Sequence, residues 1–157
     1  DNGYPVRGIV KGDYFYSINF KPNRWPAGNP ETGYLNTDGS PTKTEILNLN
    51  RKKTNTLYWK YSFGKRAGEE LYDLKNDPYC ISNLAKIKSF SSLKTKLKKI
   101  LIDDLKSQKD PRVLELGDVF DQYTYGDERT RNFHERYTKG EDIEANWVNQ
   151  TDFEKSN

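Results

Sequence analysis

The chain has 157 residues, 33% of them hydrophobic and 31% charged, and its 26 basic and 23 acidic side chains leave a net charge of +3. That balance argues against a nucleic-acid-binding domain, whose footprint is a clustered basic face and a pI above ~9. A single cysteine, Cys80, excludes an internal disulfide framework and a cysteine-rich metal site, and no stretch is apolar enough to span a membrane.

In chain order, Val6 to Val10 and Tyr14 to Phe20 predict two strands joined by a tight turn at Gly12-Asp13. In the second, Tyr14, Tyr16, Ile18 and Phe20 alternate with Phe15, Ser17 and Asn19, a period of two with one apolar face. Residues 21 to 40 contain Pro22, Pro26, Gly28, Pro30, Gly33 and Gly39 and predict an irregular loop that also holds Trp25 and Tyr34. Loops of that length in compact domains are often functional.

Ser40-Pro41 predicts a helix start, with Ser as N-cap and Pro at the first helical position. Thr42 with Glu45 as a capping box is the alternative, and the helix is expected to run to about Lys53. Asn55 to Phe63 fits either a short helix or an extended segment. Glu69 to Leu74 predicts a third strand, stopped at Asn76-Asp77-Pro78. Leu93, Leu97, Ile100, Leu101 and Leu105 fall on one face of an amphipathic helix from Ser91 to about Ser107. Beyond Asp110-Pro111 a short helix over Glu128 to Tyr137 is expected in a polar tail anchored by Phe120, Tyr123, Phe133 and Trp147. The fold class expected is α+β: a small antiparallel sheet of three to four strands packed against a long amphipathic helix, with an extended irregular tail.

Reactive chemistry is sparse. The one histidine, His134, reads as a surface or hydrogen-bonding residue, and Cys80 as a structural thiol with nothing beside it to lower its pKa. Glu69-Glu70 and Asp103-Asp104 are sequence neighbours whose side chains diverge, a poor geometry for an acid/base pair. Lys94, Lys96, Lys98 and Lys99 lie on the helix that also carries Asp103 and Asp104, the pattern of a solvated helix face. Asn149-Gln150-Thr151 is a glycosylation sequon of a length expected by chance. No catalytic and no metal-ligating residue is assigned. The candidate ligand-contacting residues are Arg24, Trp25, Asn29 and Glu31 in the irregular loop, where a ring and a guanidinium suit a sulfated or carboxylated sugar. The alternative is that Trp25 tucks under the loop and Arg24 is simply solvated.

The run Glu69-Glu70-Leu71-Tyr72-Asp73-Leu74, then Asp77-Pro78 and Asn83-Leu84-Ala85, resembles the C-terminal segment of sulfatases of the alkaline-phosphatase-like superfamily. Tyr4 to Gly8, Gly12-Asp13-Tyr14 and Asn19-Phe20 resemble the strands that open this region, and Arg24 to Glu31 resembles bacterial heparan N-sulfatases (sulfamidases). Downstream, Asp110-Pro111-Arg112-Val113-Leu114 and Gly117 to Asp121 extend the resemblance over most of the chain.

The resemblance implies a subdomain in residues 1–110 and a C-terminal extension in 111–157 that wraps the subdomain or a catalytic domain. The implied activity is hydrolysis of sulfate esters or sulfamates on glycosaminoglycan-type sugars, using a formylglycine and a calcium ion. Both cofactors belong to an N-terminal catalytic domain, the implied partner together with a sulfated carbohydrate. The C/S-x-P-x-R motif that yields formylglycine is missing, since Cys80 is followed by Ile81-Ser82-Asn83-Leu84, so this chain alone is expected to be inactive. Periplasmic or secreted location in a bacterium is implied by the resemblance alone. The chain contains no methionine and opens at Asp1-Asn2-Gly3-Tyr4-Pro5, from which the inside of a longer protein is expected. The fourth strand of such a sheet is expected either before Asp1 or in residues 55–63. The competing reading is a non-catalytic carbohydrate- or protein-binding module.

Overall fold

The computed structural model describes residues 5–26, 28, 36–145 and 147–152. In chain order its elements are β1 (Val6–Lys11), β2 (Tyr14–Asn19), α1 (Pro41–Arg51), α2 (Leu57–Ser62), β3 (Glu69–Asp73), α3 (Ser91–Ser107) and α4 (Phe133–Thr138), with short 3-10 turns between some of them. The class is α+β. The chain forms two compact units, Asn2–Pro22 with Arg66–Tyr123 and Asn23–Lys65 with Thr124–Asn157.

The first unit is an antiparallel sheet of order β1-β2-β3 with α3 against it. Lys11 pairs with Tyr14 across a two-residue turn in which Gly12 takes a φ of +59°, a conformation that costs a side-chain-bearing residue about 1 kcal/mol. The alternation in β2 is realised: Tyr16 and Ile18 are buried, Tyr14 and Phe20 half-buried, all facing Leu97, Leu101 and Leu105 of α3 and Leu71 of β3. Burying one leucine contributes roughly 1.5–3 kcal/mol before chain entropy is counted, so this triplet dominates the helix–sheet contact. Ile100 is half-buried, and Ile102 packs at the margin of this core.

On β2, residues 14, 16 and 18 hydrogen-bond toward β1, so on β3 residues 69, 71 and 73 turn their backbone groups away from the sheet. That edge is closed by the segment after it. Leu71 N–H and Ala85 N–H both donate to Asn83 Oδ1, at 3.0 and 2.9 Å. Asn83 Nδ2 donates to the Glu69 carbonyl at 3.1 Å, and Leu84 N–H donates to the Leu71 carbonyl at 2.8 Å. Two aspartates make the intervening turns. Asp73 accepts from Lys75 N and Asn76 N, both at 3.1 Å, ending β3 one residue before the expected Leu74. Asp77 accepts from Ile81 N and Ser82 N, at 3.0 and 2.7 Å. Residues 111–123, placed in the extension by the sequence, pack in this unit: Val113 joins the core, and Asp110 Oδ2 holds Arg7 Nε at 2.6 Å.

In the second unit Ser40 caps α1 as expected, its hydroxyl accepting from Lys43 N at 3.1 Å, with Pro41 at the first turn. The helix ends at Arg51, and Lys53 in a left-handed conformation turns the chain out. Residues 57–62 are helical, which decides between the short helix and the extended segment that 55–63 allowed and removes this stretch as a place for the fourth strand. The reason is spacing: Trp59 and Phe63 lie four residues apart, and as a helix both reach Leu47 and Ile46 of α1. A second small core gathers Phe133, Ile143, Ala145 and Val148, with Tyr137 and Trp147 at its margin. The expected helix over 128–137 is shorter and later, because Asp127 holds Arg129 N and Thr130 Oγ1 in a turn and Asn132 is left-handed.

The segment 147–152 is fixed to α1 by buried polar groups. Lys43 and Asp152, 3% and 1% exposed, approach to 3.9 Å, Nζ to Oδ2. Lys43 Nζ also donates to the Thr37 carbonyl at 2.9 Å, and Thr44 Oγ1 donates to Asp152 Oδ1 at 2.7 Å. Arg51 donates to the Asp152 and Thr151 carbonyls. Burial pushes the Lys43 ammonium below its ordinary pKa, and Asp152 and Asp38 oppose that shift.

Candidate functional site

Of the loop residues singled out in the sequence, Arg24 and Trp25 are described, while Asn29 and Glu31 lie outside the described residues. Arg24 is exposed and Trp25 half-buried. The Trp25 ring meets Trp59 of α2 edge to face, centroids 5.8 Å apart at 84°. The ammonium of Lys65 stands 4.8 Å from the Trp25 ring centroid. Trp25 is therefore packed on α2 with the Lys65 ammonium over its ring, and its chain neighbour Arg24 is exposed.

A packed ring with one cation over it and an exposed arginine next to it in the chain suits a ligand that joins an apolar face to anionic groups, as acidic sugars do. The sequence pointed to Arg24 and Trp25 but missed Lys65 and Trp59. Their positions in chain order, some forty residues from the loop, carry no local signal; the aromatic and basic composition of 51–65 was the only clue.

The other titratable groups serve the fold. Glu69 and Glu70 diverge to opposite faces of β3, as expected. The Glu69 carboxylate accepts from Tyr16 Oη at 2.6 Å, Lys94 Nζ at 3.1 Å and Lys98 Nζ at 3.2 Å, and Glu70 pairs with Arg66 at 3.0 Å. The Tyr16 bond, reinforced by the two lysines against the opposing effect of burial, draws the Glu69 carboxyl down to about 2. Burial and the adjacent carboxylate push the Tyr16 phenol far up. With Lys99 on Asp103 at 2.6 Å, most of the lysine cluster on α3 is spent on ion pairs.

Cys80 is half-buried in a left-handed conformation, φ +53°, and burial followed by the Asp77 charge pushes its thiol up. Its surroundings disfavour a thiolate, and Ser82 and Leu84 stand where the formylglycine motif needs Pro and Arg, so these residues do not fit that group. Among the described residues no cluster of three His, Cys, Asp or Glu side chains is arranged to hold a metal ion. Among the described residues no helix is long and apolar enough to cross a membrane. His134 sits in α4, and its side chain lies outside the described residues. Asn149 of the sequon is exposed and donates to Thr44 Oγ1 at 3.2 Å. Compared with known protein families and with curated proteins, the chain matches none.

Proposed function

We propose that this chain is the C-terminal portion of a sulfatase-type hydrolase acting on sulfated, glycosaminoglycan-type sugars, and that it supplies architecture and substrate contact rather than bond-breaking chemistry. The observation that carries this reading is the folded form of the segment that resembles sulfatases. Glu69 to Ala85 is one self-contained device, a strand, two aspartate turns and the Asn83 clamp, seated under α3. Asp73, Asp77 and Asn83 of that segment each hold backbone groups, which is the behaviour of a fold-determining signature.

In this reading formylglycine and calcium reside in a catalytic domain N-terminal to the chain, in a periplasmic or secreted bacterial enzyme, and no step of the hydrolysis is assigned to residues here. The exposed Arg24 beside the anchored Trp25 would contact the anionic sugar. The test is sulfate release by the full-length protein from a panel of sulfated sugars that includes N-sulfated glucosamine, with this chain alone as comparison. Release by the full-length protein and none by the chain is expected. A matured, folded full-length protein that releases no sulfate overturns the reading in favour of a non-catalytic binding module. Arg24→Ala and Trp25→Ala in the full-length protein are expected to lower kcat/KM; unchanged values on every substrate would make the loop purely structural.

A further inference from the structure

We propose that α1 is the contact of a symmetric homodimer, in which a second copy of this chain lays its own α1 antiparallel across the outer face of the helix. The other faces of α1 are already used. Lys43 and Leu47 are buried, 3% and 0% exposed, and Thr44 and Arg51 bond the segment 147–152. The remaining face carries Thr42, Glu45, Ile46 and Leu49, the i, i+3, i+4, i+7 spacing by which one helix packs on another. These four, with Pro41 and with Tyr58 of α2, line an open groove of about 440 Å³. Tyr58 and its neighbour Leu57 are 56% and 51% exposed, so the apolar surface does not end at α1.

The charges identify the occupant. Glu45 and Lys52 lie seven residues apart, about two helical turns, on one flank of this stripe, Lys52 being the helical C-cap of α1. Both are exposed, and among the described residues neither is in an ion pair. When two identical helices pack antiparallel about a twofold axis, equivalent flanks meet. Glu45 of each copy then stands opposite Lys52 of the other, so the two ion pairs form together. The same register brings the two Leu49 side chains next to the axis with an Ile46 beside each, where they fill the groove, and it opposes the two helix dipoles. A membrane surface or a nucleic acid favours a flank of one sign, whereas this flank carries an acid and a base two turns apart. A second copy is the partner that supplies the complementary acid and base in the matching register.

The inference goes beyond the proposed function and does not need it, since subunit association is read without any sulfated substrate. The test is sedimentation equilibrium of the full chain, with far-UV circular dichroism to show that each variant keeps its helices. A reversible dimer is expected for the native chain. Glu45→Lys and Lys52→Glu, each at an exposed position, are expected to weaken it about tenfold or more, because each change turns two attractive pairs repulsive. The two substitutions combined in one chain are expected to restore the dimer constant to within about threefold of native. Mixing the two single variants is expected to give a heterodimer tighter than either homodimer. Tyr58→Ala is expected to weaken the dimer at constant charge. A native chain that stays monomeric at every concentration overturns the proposal. So does a dimer that ignores the single charge reversals, or one that their combination does not restore.

Discussion

Replacing Asn83 by Ala tests whether the closed edge of β3 holds the sheet unit together. The substitution removes the acceptor for Leu71 N–H and Ala85 N–H and the donor to the Glu69 carbonyl. Leu71 is fully buried, so its N–H loses a partner with poor access to water, while the contact with the Glu69 carbonyl is exposed and replaceable by solvent. Counting about 1 kcal/mol for each of the two partly buried bonds and almost nothing for the exposed one gives a loss of about 2 kcal/mol, rising to ~3 if Leu71 N–H finds no substitute. In a chain of this size about 2 kcal/mol corresponds to a fall in Tm of roughly 4–8 °C. Trp25, Trp59 and Trp147 all belong to the other unit, so tryptophan fluorescence is the wrong probe. Far-UV circular dichroism in urea, with amide exchange at Leu71, reports on the right one. Asn83→Asp, which keeps the accepting oxygen, is expected to fall between Ala and the native residue at neutral pH. A loss below about 0.5 kcal/mol for Asn83→Ala, with Leu71 still protected from exchange, would refute the reasoning.

Three further perturbations follow from the buried polar groups. Tyr16→Phe is expected to cost about 1–2 kcal/mol at neutral pH. Because the Glu69 carboxyl is depressed to about 2, its contribution is complete above the ordinary carboxylate pKa and is lost as pH falls toward 2. Without the phenol that acid-side loss is expected to shrink, and parallel acid curves for the two proteins would count against the bond. Asp152→Ala removes the carboxylate facing the buried Lys43 ammonium, which keeps the Thr37 carbonyl, and the acceptor of the Thr44 hydroxyl, so a loss of about 3 kcal/mol at neutral pH is expected. The Lys43 pKa is lowered on folding, so the variant should regain stability as pH rises and the amine loses its proton, measured by urea melts across the alkaline range. Cys80, with its thiol pushed up by burial, is expected to react more slowly with a disulfide reagent at pH 7 than a free cysteine does. A rate equal to free cysteine would show that the thiol is neither buried nor inert.

The elements legible in the sequence are those whose signal is local. Tyr14, Tyr16, Ile18 and Phe20 announce a face by their period of two, and Leu97, Leu101 and Leu105 by a spacing of four. Ser40-Pro41 names its own helix start. Residues 55–63 were ambiguous because Leu, Tyr and Trp serve a strand as well as a helix, and what decides is Leu47 on α1 receiving Phe63. Lys43 looked like any helix lysine; its burial follows from Asp152, whose partner Thr44 lies 108 residues earlier. Asn83 was readable only as part of a phrase, since the backbone groups it serves belong to Glu69 and Leu71.

The same contrast bears on where function resides. In Glu69 to Ala85 the conspicuous residues are consumed by hydrogen bonds within the fold: Asp73 and Asp77 by backbone turns, Asn83 by the backbone of the edge, and Glu69 by the side chains of Tyr16 and two lysines. A side chain whose acceptors or donors are already committed has little left for a ligand. Residues 51–65 have a different character: Lys52 and Lys53 are exposed, as are Leu57 and Tyr58, while Trp59 and Phe63 pack on α1 and Arg51 bonds the Thr151 and Asp152 carbonyls. Substitutions at Asp73, Asp77 and Asn83 are therefore expected to lower stability, and substitutions at the exposed Lys52 and Lys53 to leave it within about 0.5 kcal/mol; urea melts in which both sets cost the same would refute the contrast.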